Sequence, residues 1–162
     1  MVTLEFQKHV KFLAIYTTHC SFAVAAVLLS SMKHIKLLTT EFLTIEYNAI
    51  DDFLYADWHG ELTNDAIVEG YEHILFYLKK EYCHKLLDNH FDVQSMWAEL
   101  ADWFAYNWHP RAEAAGLQYH AAVYSNNHFS KLSTDKAIKM VESGIVKGFN
   151  TVENAEGWLN SF

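Results

Sequence analysis

The stretch from Leu86 to Ser95 (LLDNHFDVQS) constrains this chain more than any other. A short apolar run stops at an acidic-amide turn, and an amphipathic segment follows at once. That pattern reads as a strand feeding a helix. In open α/β sheets the carboxyl end of such a strand is where ligands and regulators act. The same alternation of strand and helix runs from about Leu43 to Phe162. The expected class is therefore α/β. The residues expected to face a partner or ligand are Asp88, Asn89, His90, Asp92 and Ser95.

Periodicity supplies the remaining elements. Phe42 to Tyr47 alternates apolar and polar residues, as a half-buried strand does, and Phe53 to Trp58 is a second strand. Asn48 to Asp52 between them reads as a hairpin turn. Thr63 is a good helix N-cap, Asp65 suits the first turn, and Lys79 and Lys80 suit the last. Ile67, Tyr71, Ile74, Leu75 and Leu78 fall on one face of that helix, which should end near Tyr82. His84 to Asn89 is the third strand, and Asp92 is expected to cap the next helix. Met96, Leu100, Trp103 and Phe104 form its expected buried stripe, with a kink near Asn107 ahead of Pro110 and a stop at Gly116. Leu117 to Tyr124 is the fourth strand. A helical turn over 128–132 is followed by a helix capped by Ser133 or Thr134 that ends at Gly144. Ile145 to Phe149 is the fifth strand, and Thr151 caps a final helix. The order ββαβαβαβα makes the later strands parallel, so the sheet is mixed.

Charge limits the partners. The 162 residues carry a formal net charge of −8, and from Met32 onward 10 basic residues face 19 acidic ones. An acidic surface repels phosphate backbones. Arg111 is the only arginine, which removes the preferred bidentate phosphate reader. Nucleic acid is thus not an expected partner. Cys20 and Cys83 are far apart and outside any CxxC, as free thiols of a reducing cytoplasm would be.

The first 31 residues differ from the rest. Phe12 to Leu29 is an 18-residue run without Asp, Glu, Lys or Arg, preceded by Lys8 and Lys11. Its length sits at the lower edge for a membrane span, and its flanks resemble a signal peptide. Three readings stand: a signal peptide with a poor cleavage site, an anchor weakened by Thr17, Thr18 and His19, or a segment outside the natural protein, with translation starting at Met32. A membrane is a partner only if this segment is retained. The expected organisation is an apolar extension over 1–31 and one domain over 32–162.

Several segments together resemble the SpoIIAA-like family of the STAS superfamily. They are Leu43 to Tyr47, Trp58 to Thr63, Glu69-Gly70-Tyr71, Leu87-Asp88-Asn89, Trp108 to Ala112, Ala115-Gly116 and Phe149 to Leu159. The resemblance implies a mixed five-stranded sheet, an initial antiparallel hairpin followed by parallel βα units, packed with helices. It also implies a bacterial regulator that binds partner proteins and is no enzyme. Better-known relatives are switched by phosphorylation of a Ser or Thr in a D-[ST]-[ST]-G setting. Here Asp88 matches the acid, but Asn89 and His90 stand where the hydroxyls would be. Ser95, several residues later, is the remaining candidate phosphosite, since phosphate charge is favourable near a helix N-terminus.

Catalytic patterns are weak. Ten histidines include no HExxH or HxxxH, so neither a metal nor any other cofactor is expected. There is no Walker loop, no GxGxxG and no G-x-S-x-G around Ser95. An enzyme built on Asp88, His90 and Ser95 is the weakest reading. Trp97, Trp103, Phe104, Tyr106 and Trp108 crowd one helix and cannot all face one core. Trp97, Tyr106 and Trp108 are therefore candidates for a dimer surface. The leading expectation is a cytoplasmic, non-enzymatic interaction domain that forms a homodimer. The alternative is a small-molecule or lipid carrier with an apolar pocket, as in the related CRAL-TRIO fold.

Overall fold

A computed structural model describes residues 33–162 apart from 144. The expectations for the extension, Cys20 included, lie outside the described residues. Six strands form one sheet in chain order: β1 (His34–Thr39), β2 (Leu43–Asn48), β3 (Phe53–Gly60), β4 (Lys85–Val93), β5 (Tyr119–Val123) and β6 (Val146–Phe149). The sheet is thus six-stranded rather than five-stranded. The extra strand is β1 (HIKLLT), which alternates polar and apolar residues over His34–Leu37 only and breaks the pattern at Leu38.

β2 and β3 pair antiparallel, with Leu43 opposite Trp58 and Asn48 opposite Phe53. Their turn is fixed by Asn48, whose Oδ1 accepts from the amides of Ile50 and Asp51 at 3.1 and 3.0 Å. From β3 onward every pairing is parallel. Each parallel step needs a crossover helix, and steps of one hand in one direction put those helices on one face.

The first crossover is α1 (Asn64–Glu81), capped as expected by Thr63, whose Oγ1 accepts from Ala66 N at 3.2 Å. Its expected inner stripe is buried. It ends at Tyr82, a non-glycine residue at φ 54°. The second crossover, α2, is irregular. A 3-10 turn (Ala98–Leu100) and an α-turn (Ala101–Trp103) lead into a π-helical stretch (Phe104–Trp108), then a regular segment (His109–Ala114). Pro110 explains the π stretch. It has no N–H, and its ring crowds the carbonyl four residues back, so the ladder widens by one residue there. Gly116, at φ 112°, ends the helix as expected.

The third crossover, α3 (His128–Met140), is one helix capped by Asn127, whose Oδ1 accepts from Phe129 N and Ser130 N. Ser133 and Thr134 are therefore not caps. They are buried inside α3, their hydroxyls donating to the carbonyls of Phe129 and Ser130. The last helix, α4 (Val152–Leu159), is capped by Thr151 as expected.

The main core lies between the sheet and α1 to α3, and includes Leu43, Ile45, Trp58, Tyr71, Leu86, Trp108 and Ala137. A second, smaller core joins α4 to the opposite face through Phe53, Leu87, Val123, Ala155 and Leu159. Trp97 and Trp108 belong to the main core, at 3% and 0% exposure, so neither forms a dimer surface. Met96, expected inside, is exposed, because 94–97 is a loop rather than a helix start.

Gly70 shows how tightly α1 meets the sheet. A Cβ there would overlap the Trp58 ring, which is held by its Nε1 hydrogen bond to Asp88 Oδ1. Gly70→Ala is expected to cost about 2 kcal/mol by overpacking, read as a lower urea midpoint with an unchanged slope.

Candidate functional site

Alternation along β4 sends Leu86, Asp88 and His90 to the helix-covered face and Leu87, Asn89 and Phe91 to the other. The strand does not stop at Asn89 as expected. It continues to Val93, because Asp92 pairs with His59 and Val93 with Gly60 across a bulge, and Gln94 N donates to Gly60 O at 2.9 Å. Asp92 is therefore an exposed strand residue and caps no helix. Ser95 lies in the following loop, where its Oγ accepts from Leu62 N at 2.9 Å.

Asp88 is fully buried and is the centre of a polar network. Its Oδ1 accepts from Trp58 Nε1 at 2.7 Å. Its Oδ2 accepts from the Tyr71 hydroxyl at 2.9 Å and faces the Nε2 atoms of His90 and His120 at 3.2 and 3.3 Å. β3, α1, β4 and β5 thus all converge on one carboxylate. Burial by itself would raise its pKa. The charge interaction with His90 and the hydrogen bonds from His120 and His90 outweigh it and hold the carboxyl far below the usual range. The same arrangement pushes Tyr71 well above the ordinary phenol value, first through burial and then through the Asp88 charge.

Aromatic rings seal the network. Tyr71 packs on Trp58 and Trp108, with centroids 5.1 and 4.7 Å apart, and Trp108 Nε1 donates to Tyr71 O at 2.6 Å. His90 Nδ1 lies 3.2 Å from Thr134 Oγ1 on α3. His109, also fully buried, stacks on His120 and meets Glu113 Oε1 through Nδ1 at 2.8 Å. Burial first, then the nearby His120, push His109 down to about 4, against the opposing pull of Glu113.

On the other face, Asn89 Nδ2 donates to Tyr55 OH at 3.0 Å and Asp57 Oδ1 at 2.7 Å. Burial, then the Asp57 charge, push Tyr55 up to about 12.

The predicted site is thus divided. Asp88, Asn89 and His90 are interior, at 0%, 7% and 4% exposure, and face no partner. Ser95 is half-buried, and Asp92 faces solvent. Asp88, His90 and Ser95 do not form a nucleophile–base set, since Ser95 is bound to Leu62 and the His90 ring lies among Asp88, Tyr71 and Thr134. Sequence reasoning missed His109, His120, Trp58 and Tyr71 as members of the network. His120 carried one usable signal: in strict strand alternation it shares a face with the pairing position of Asp88.

No group of three or more His, Cys, Asp or Glu that could hold a metal occurs among the described residues. The cavity bounded by Trp58, Tyr71, His90 and Trp97 measures about 10 Å³, space for one water. A wider groove of about 460 Å³ lies by Ile50, Asp52, Lys85 and Phe162. Across it Lys85 Nζ donates to Asp51 O at 2.9 Å. No family model, curated protein or solved structure matches the chain.

Replacing Asp88 by Asn puts an NH2 among groups that all need an acceptor. Asp88→Asn is expected to cost about 3–5 kcal/mol in chemical unfolding, the range for breaking a buried charge pair.

Acid should act in two stages. His109 is neutral when folded and takes a proton near 6.5 when unfolded, so its share of stability is intact above about pH 6.5 and lost as pH falls toward 4. At about 1.4 kcal/mol per pKa unit, that share is on the order of 3 kcal/mol. Asp88 binds its proton more readily unfolded, so a second loss sets in below about pH 4. Urea midpoints measured from pH 8 to 3 should fall in both windows, and His109→Phe should flatten the upper one.

Proposed function

We propose that the chain is a non-enzymatic regulatory domain of the bacterial STAS/SpoIIAA-like type that works in the cytoplasm by protein contact, as a homodimer. The observation that carries this reading is the end of the sheet where β4 and β5 finish. Large apolar side chains stand exposed there on linked segments: Met96 on the loop after β4, and Phe129 and Leu132 on the first turns of α3. The segments are tied together, since Trp97 N donates to Ser133 Oγ at 3.0 Å and Asn126 N to Phe91 O at 3.2 Å. Phe91 is exposed at the same end, on the opposite face.

Exposed apolar groups gathered on one edge mark an interaction surface more than a reaction centre. The groups that could do acid–base chemistry are turned inward and engaged with one another. Tyr106, the one member of the proposed dimer set that is exposed, adds an aromatic on α2. The acidic balance and the engagement of Arg111 with Glu72 favour protein over nucleic acid. Among the described residues no helix is long and apolar enough to cross a membrane.

The lipid-carrier reading has less support. An acyl or drug-sized ligand needs about 300–1,000 Å³, and the apolar cavity in the core offers about 10 Å³.

The test is the oligomeric state of the full chain in analytical ultracentrifugation. A dimer at micromolar concentration is expected. Met96→Glu with Phe129→Glu should shift it to monomer, at least tenfold weaker, with unfolding free energy unchanged within about 0.5 kcal/mol. A wild-type monomer that also captures no protein through this edge in crosslinking would sink the reading.

A further inference from the structure

Two buried histidines lie where α2 meets the sheet, and neither is fully used. His109 follows the π-helical stretch of α2, and His120 sits on β5. Their rings are parallel within 6°, with centroids 5.7 Å apart. Each spends one nitrogen on a carboxylate, His109 Nδ1 on Glu113 and His120 Nε2 on Asp88. The other nitrogens, His109 Nε2 and His120 Nδ1, are buried without a hydrogen-bond partner. Ionised carboxylates only accept, so the facing nitrogens carry the hydrogens, and in neutral rings the remaining two are bare acceptors. Phe104 and Trp108 wall the pair, with centroids 5.6 to 6.1 Å from both imidazoles.

We propose that this histidine stack is an acid-operated latch, which holds the second half of α2 on the sheet at neutral pH and releases it when protons enter the pair. The proposal does not depend on the interaction reading above. A proton on His109 Nε2 adds a second N–H that has no acceptor, against aromatic walls and parallel to a second imidazole, with only Glu113 to balance its charge. Burying an N–H donor without an acceptor is unfavourable, and the half-exposed Glu113 offsets only part of the cost of the buried charge, so the protonated ring is more stable outside. The depressed value of His109 agrees with this geometry: the ring resists the proton while packed and accepts it once exposed.

The charged surroundings of the stack come from three elements besides β5. Glu113 lies on α2 itself, and Asp88 and His90 lie on β4 beyond His120. From α1, Glu72 pairs with Arg111 on the solvent side. Release is local for two reasons. The π stretch and Pro110 interrupt the regular hydrogen-bond ladder where this part of α2 begins. α1 keeps its own stripe of Ile67, Ile74, Leu75 and Leu78 in the core.

The chain's five tryptophans allow a direct test. The full chain is labelled with 5-fluorotryptophan, its 19F signals are assigned by single Trp→Phe variants, and spectra are taken from pH 7.5 to 4. The Trp108 signal should move to the solvent-exposed position as pH falls, while Trp158, on the opposite face, holds its own. His109→Phe should remove the transition. Glu113→Gln, at a half-exposed position, weakens the closed state and should move the midpoint to higher pH. All five signals moving together would overturn the latch, as would a Trp108 signal unchanged to pH 4. A wild-type midpoint in His109→Phe would do the same. Should that variant not fold, a Glu113→Gln midpoint that is unchanged or lower would do so.

Discussion

One buried carboxylate organises this domain. A charge removed from water is tolerated only when its acceptor sites are filled, and Asp88 is served by Trp58, Tyr71, His90 and His120. Those donors come from β3, α1, β4 and β5, so the network can be satisfied only when the elements are in register. Apolar packing alone would tolerate small slips between helix and sheet. A carboxylate with four fixed donors does not, because a slip leaves a charge or a donor unpaired in the core. The polar centre thus specifies one arrangement, and the aromatic shell of Trp58, Tyr71, Phe104 and Trp108 keeps water from competing with it.

This inward turn of the ionisable groups shapes the functional reading. A site for chemistry needs reactive groups that substrate can reach, and here Asp88, His90, His109 and His120 are enclosed. Large apolar side chains stand exposed at the carboxyl end of the sheet, Met96, Phe129 and Leu132 around two linked loops, beside the polar Asp92, Gln94 and Asn126. The domain thus separates a polar interior that defines the fold from an apolar rim suited to contact. The irregular α2 connects the two, since it places Trp108 and His109 in the core and leaves Tyr106 outside.

Local signals were readable where a few neighbouring residues decide the outcome. The β2–β3 hairpin, the Thr63 and Thr151 caps, the inner stripe of α1 and the Gly116 stop follow from turn chemistry, capping and periodicity. The candidate site was legible only in part. Asp88-Asn89-His90 looks like a turn because acid, amide and imidazole are common in turns. In the sheet the same side chains are satisfied by Trp58, Tyr55, Asp57 and Thr134, all far away in sequence. Ser133 and Thr134 misled for the same reason, since a hydroxyl that can cap a helix can also back-bond within one.

By itself, the sequence determined the alternation of strands and helices, the mixed sheet and the acidic surface, because these depend on spacing and composition. Only the tertiary structure decided which polar residues lie inside, that three histidines and an aspartate meet, and that Trp97 and Trp108 are core while Met96 is rim. Those outcomes turn on where a strand ends and which distant donor is in reach. Such facts are set by the packing of whole elements, and no local window of residues contains them.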